Sequence, residues 1–187
     1  YLEVTGVQTC ALPIFREAAN RDLLWEGVLD GTIDGIVSDH SPSTVERKRD
    51  GDGDFGLAWG GIAGLQVGMS AVWTEAHQRG IALETIVPLF TTGPAAIAGV
   101  DAGRIEIGAA ANLTVFGADD PLHVDARRLL HRNPISAYDG RDLTGRTRRT
   151  WLHGRSVFDV TEGGAGEAPQ WRGNPCGRLL SRDGDGA

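Results

Sequence analysis

The stretch Gly35-Ile-Val-Ser-Asp-His-Ser-Pro42 decides how this chain is read. A brief apolar run, Ile36 and Val37, stops at an acid and an imidazole. Such a run, without strict alternation, suits a buried strand of a parallel sheet, and it predicts a strand over residues 34–38. Asp39 then falls at the C-terminal end of that strand. In α/β barrels that end carries the active site, so a carboxylate there can ligate a metal or move a proton. Taken alone, the eight residues fit better an aspartate that caps the next turn. The rest of the chain reverses that order.

Working outward, Asn20 is placed to cap a helix in which Asp22 favours the N-terminal dipole, Leu24 and Val28 fall at i, i+4, and Gly31 supplies the stop. That helix leads directly into the Asp39 strand. Residues 39–61 read as a polar, solvated loop containing Glu46-Arg-Lys-Arg49 and Asp50-Gly-Asp-Gly-Asp54. The acidic run lacks the closing Glu of a calcium loop. Beyond it, Leu65, Met69, Val72, Trp73 and Ala76 keep a helical period, a stripe that reads as core, and Gly80 ends the helix. Leu83 to Phe90 continues helical, and Pro94 suits the first turn of another short helix.

At Val100 the period changes. Arg104 to Ile107, Leu113 to Phe116, Thr150 to Leu152 and Ser156 to Val160 read as short strands, with His153-Gly154 as a hairpin turn between the last two. The division expected is therefore residues 16–100 as an αβ segment, 101–160 as a β module and 161–187 as a Gly/Pro-rich tail. Residues 1–15 stand apart. Val4 to Ile14 looks like a translated sequencing-library adaptor joined in frame near Phe15; a genuine strand and loop is the other reading.

The 187 residues carry a net charge of −7, with 41% hydrophobic and 23% charged residues. This is ordinary for a globular protein and leaves no basic footprint, which argues against nucleic acid or an anionic membrane as main partner. Small molecules remain. Cys10 and Cys176 form neither a CxxC motif nor a disulfide framework, consistent with a reducing, cytoplasmic setting. No apolar run is long enough to span a bilayer as a helix.

Together, Asp34-Gly-Ile-Val-Ser-Asp-His-Ser-Pro42, Ala58-Trp-Gly-Gly-Ile-Ala-Gly-Leu-Gln66 and Gly103-Arg-Ile-Glu-Ile-Gly-Ala-Ala-Ala-Asn-Leu-Thr-Val-Phe116 resemble the C-terminal part of the cyclic amidohydrolases. Asn20-Arg-Asp-Leu-Leu-Trp25, His131-Arg-Asn-Pro-Ile-Ser-Ala-Tyr-Asp-Gly140 and Leu143-Thr-Gly-Arg146 narrow the resemblance to the allantoinase family. It covers about residues 16–181.

The resemblance implies an α/β fold: the last segments of a TIM-type (β/α)8 metal-dependent hydrolase barrel over 16–100, and a small β-sandwich module over 101–160. It implies two divalent ions, zinc as a rule, held by an HxH pair, a carboxylated Lys, two further His and the Asp that matches Asp39. Only Asp39 is present here, as metal ligand and catalytic carboxylate; no HxH occurs. His40 is implied to orient that carboxylate, with a hydrogen bond in a turn as the other reading. Among the remaining histidines, His77, His123, His131 and His153 are given surface or structural roles.

Gly61 and Ile62, in the Gly60 to Gly64 turn, match a segment whose backbone contacts a cyclic ureide, and Ser43 joins them as a substrate contact; a helix-starting turn explains the same glycines equally well. Dihydroorotases place a substrate-binding His where this chain has Ser43, which weighs against that branch. A hydantoinase-like hydrolase and a metal-free assembly protein stay open beside the allantoinase reading. The whole parent is expected to be a cytoplasmic homotetramer, and the chain by itself inactive.

Overall fold

The structure, a computed structural model, describes residues 18–49, 54, 56–160, 170–171, 174 and 177. The adaptor-like segment and nearly all of the tail, including Leu179 and Leu180, lie outside the described residues. Helix α1 (Ala18–Leu29) starts before Asn20, which therefore lies within its first turn and does not cap it. The expected stop is present: Gly31 takes a positive φ of 81°, and the Asp30 carboxylate accepts the Thr32 N–H at 2.8 Å. Trp25 and Val28 face the core, whereas Leu24 is largely exposed.

The strand expected over residues 34–38 is not formed. The segment is extended, but a strand exists only through the ladder on its flanks. Here the backbone is held at one point, Ile36 N–H to the Leu89 carbonyl at 2.8 Å, and Val37 is 78% exposed. Parallel pairing survives as a single bridge between His40 and Ile62. The segment is also braced from the side. A Cβ on Gly93 would collide with the Asp34 carbonyl oxygen, so glycine is needed for that approach.

Helix α2 (Val45–Arg49) occupies part of the expected loop. Its residues carry no apolar stripe, which is why periodicity did not reveal it. Helix α3 (Gly68–Gln78) begins after Leu65, which is exposed and outside the helix, while Trp73 and Ala76 are buried. It ends in a Schellman motif: Gly80 N–H bonds the His77 carbonyl at 3.0 Å and Ile81 N–H the Ala76 carbonyl at 2.9 Å. Helices α4 (Leu83–Phe90) and α5 (Thr92–Ala98) follow as expected, with Pro94 in the first turn of α5. No helix among the described residues is long and apolar enough to cross a membrane.

Arg104 to Ile107 is a second correction. Gly103 and Gly108 bracket it with φ of 85° and 93°, Arg104 pairs locally with Asp101 and Glu106, each at 2.6 Å, and Ile105 and Ile107 are exposed. With no neighbouring strand among the described residues, local turns satisfy the segment instead. The sheet proper runs β1 (Leu113–His123), β2 (Asp142–Leu152), β3 (Arg155–Asp159), β4 (Gln170–Trp171), all antiparallel and in that spatial order. His153 and Gly154 both take positive φ, 48° and 75°, the pattern of a primed hairpin turn.

The core crosses the expected division near residue 100. Trp73, Ala76, Ile86 and Leu89 pack with Trp25, Ile36, Phe116 and Ala118. Val67, Val124 and Leu143 form a second cluster with Leu122 and Tyr138. Polar bonds reinforce the junctions of α3 with β1 and with β2. Trp73 Nε1 donates to the Ala118 carbonyl at 2.9 Å, and the Thr74 hydroxyl accepts the Thr144 N–H at 2.8 Å.

Candidate active site

Asp39 lies at the end of the extended segment, exposed, with a φ of 42°. Left-handed backbone is uncommon outside glycine, and aspartate is among the residues that tolerate it. Ser41 holds this bend. Its hydroxyl donates to the Asp39 carbonyl at 3.0 Å and accepts the Ile62 N–H at 3.1 Å, while its own N–H reaches the Ile62 carbonyl at 3.0 Å. The Asp39 segment and the glycine turn are thus one bonded unit.

Gly61 shows why that turn is glycine-rich. Its φ is 83°, and a Cβ would run into the Ser41 carbonyl and hydroxyl. Ile62 is half-buried beside it. Ser43, expected as a substrate contact, is 7% exposed, and its hydroxyl lies 3.4 Å from the neighbouring Thr44 carbonyl, a long hydrogen bond.

His40 accepts the Leu65 N–H at Nδ1, 3.3 Å away. An imidazole nitrogen that accepts carries no proton, so the neutral ring has its proton on Nε2. The His131 ring stands edge-on to His40, with centroids 6.0 Å apart and planes at 68°. His131, expected in a surface or structural role, therefore stands beside His40. Both His131 nitrogens are buried without a well-formed hydrogen bond among the described residues. Burial first, and His40 second, push its pKa below the ordinary histidine value, an effect the nearby Asn133 backbone opposes.

Residues 130–140 back the glycine turn and the residues just after it. Ser136 donates to the Ala63 carbonyl at 2.6 Å, Leu130 N–H reaches Gln66 Oε1 at 2.7 Å, and Tyr138 packs against Gly64. Lys48, on α2, reaches the same turn from elsewhere. Its ammonium donates to the carbonyls of Trp59 and Gly60, each at 2.8 Å, and to that of Gly61. Burial pushes its pKa below the usual lysine value. Sequence reading missed Ser41, Lys48 and His131, since each acts through partners far away along the chain.

A metal centre requires several ligands converging on one point. Among the described residues no group of three or more His, Cys, Asp and Glu does so. Asp39 offers one exposed carboxylate, and these residues by themselves do not fit a two-metal site.

Among solved structures, the fold is similar to an L-hydantoinase (dihydropyrimidinase) from Arthrobacter aurescens, with 30% identity, a TM-score of 0.71, and coverage of 84% of this chain and 36% of that one. It is also similar to a D-hydantoinase (dihydropyrimidinase) from Thermus sp., with 23% identity, a TM-score of 0.71, and coverage of 82% and 34%. The fold is therefore similar to that of part of these hydantoinases. The amidohydrolase family signature matches residues 59–158, and the chain belongs to that family. In sequence it is 45% identical over 175 residues to an allantoinase from Streptomyces avermitilis, covering 93% of this chain and 36% of the relative. An allantoinase from Arabidopsis thaliana is 39% identical over 152 residues, covering 80% and 30%. The chain spans about a third of the length of the curated relatives it matches.

Proposed function

We propose that this chain is part of an allantoinase, a hydrolase that opens the ring amide of allantoin to allantoate. The observation that carries the reading is the 45% identity to an allantoinase across 175 residues, a span that includes the bonded Asp39 and Gly60 to Gly64 unit. Within it, Asp39 is assigned the proton work. An exposed carboxylate at the end of an extended segment can take a proton from the attacking water and return it to the leaving ring nitrogen. The Gly61 and Ile62 backbone would meet the ring, since glycine permits close approach. His40, held through Nδ1, would steady the bend that presents Asp39. Ser43, buried in its own turn, is left out of the substrate contacts.

Divalent metal, zinc by expectation, belongs to the whole parent in this reading, with ligands supplied beyond the described residues. The partner is a small cyclic ureide. A hydantoinase-like specificity is the second reading, favoured by the 30% identity to the L-hydantoinase. The parent protein, purified with divalent metal, should form allantoate from allantoin faster than it opens hydantoin, dihydrouracil or dihydroorotate. Preference for one of the latter rings would overturn the allantoinase assignment, and no turnover of any would overturn the hydrolase reading.

A further inference from the structure

The stretch between Asp39 and the glycine turn delivers one cation into that turn. We propose that Lys48 is a positioning residue of this site, setting the conformation of the Gly60 to Gly64 turn through three backbone carbonyls and not through contact with reacting atoms. This rests on the reading of the turn as substrate-contacting.

An ammonium has three N–H donors and no acceptor, and here it meets three carbonyl oxygens, those of Trp59, Gly60 and Gly61. Successive carbonyls of an extended chain point to opposite sides, so three in a row meet one cation only where the chain turns sharply. Gly61, with its φ of 83°, provides that turn. Without a cation at the focus, three dipoles would face one another with like ends together, and the turn would relax. Helix α2 holds the ammonium there by two further ties. Trp59 N–H bonds the Arg47 carbonyl at 2.9 Å, and the Arg47 guanidinium lies 4.9 Å from the Trp59 ring centroid. Beyond Gly61, Ile62 N–H bonds the Ser41 hydroxyl, and Leu65 N–H, just past the turn, bonds His40 Nδ1. Lys48 and the Asp39 segment therefore grip the turn from its two ends. Loss of the ammonium leaves Asp39 in its bend while loosening the surface that receives the ring.

The test uses the full-length parent, with Lys48→Met and the milder Lys48→Gln, and allantoin as probe. KM should rise about tenfold in Lys48→Met while kcat stays within about threefold and metal content is unchanged, with Lys48→Gln falling between. Independently of turnover, amide hydrogen exchange in the peptide covering residues 59–64 should quicken about tenfold in Lys48→Met relative to the parent. A folded, metal-loaded variant with unchanged KM and only a lower melting temperature would overturn the proposal, as would unchanged exchange in that peptide. If Lys48→Met does not fold, Lys48→Gln carries the same two readouts. A parent inactive on allantoin would overturn the function reading, while the exchange experiment would still decide the role of Lys48.

Discussion

At the scale of single residues, Asp39 bears the most testable weight. Asp39→Asn keeps volume and shape but removes the base, so in the full-length parent it should lower turnover of allantoin about 10²- to 10⁴-fold at equal metal content. Turnover within about tenfold of the parent would remove Asp39 from that role. His131 yields a prediction about stability. Its folded pKa lies below the ordinary value of 6.5, so the folded state binds fewer protons than the unfolded one. Its contribution should be full above pH 6.5 and fade as pH falls through that value toward the folded pKa. Urea midpoints of the parent between pH 8 and pH 5, measured against His131→Leu, should show that slope shrinking in the variant; an identical slope in both would exclude His131 as its source. Asp39 and His40 stood out as candidates because they end an apolar run, although that local pattern alone fits a turn cap better and only the wider resemblance points to a site. Lys48 was visible only as one charge in a polar run, because its three carbonyl partners lie beyond helix α2.

At the scale of elements, helix α3 is the hinge of the packing. Trp73 is 5% exposed, packs among Ala76, Ile86, Leu89 and Phe116, and donates to Ala118. Trp73→Ala should cost about 3–5 kcal/mol in the parent by chemical denaturation. A loss below about 1 kcal/mol would mean that the sheet does not rest on this ring. The helical period of Met69, Val72, Trp73 and Ala76 was enough to place α3. Strands were harder. Leu113 to Phe116 and Ser156 to Val160 found partners and formed, whereas 34–38 and 104–107 have equally apolar residues and no ladder. Periodicity records which side chains want burial and carries nothing about which backbone stands alongside. The reverse failure is α2, whose five residues have helical propensity but no apolar face.

At the scale of the whole molecule, this chain as written should neither hydrolyse allantoin nor bind two metals in stoichiometric amounts, because the described residues bring together no cluster of ligands. Purified chain supplied with zinc and bicarbonate, assayed for allantoate and for bound metal, checks this directly; two bound ions with turnover above buffer would refute it. Exposed Leu65, Val37, Ile105 and Ile107 add apolar surface that favours self-association, which light scattering would register. The overall plan, helices followed by an antiparallel meander, was readable from the change of period at Val100. That the two parts share one core was not, since the bonds between α3 and the sheet join residues on either side of that change. The pairing of Thr74 with Thr144 has a consequence for anyone recombining relatives of this protein. Val100 looks like the natural seam for a chimera, yet a crossover there takes the hydroxyl from one ancestor and the amide it secures from another. The heritable block is the run from Gly68 to Leu152, and hybrids that respect it should survive shuffling more often than those cut at the visible boundary.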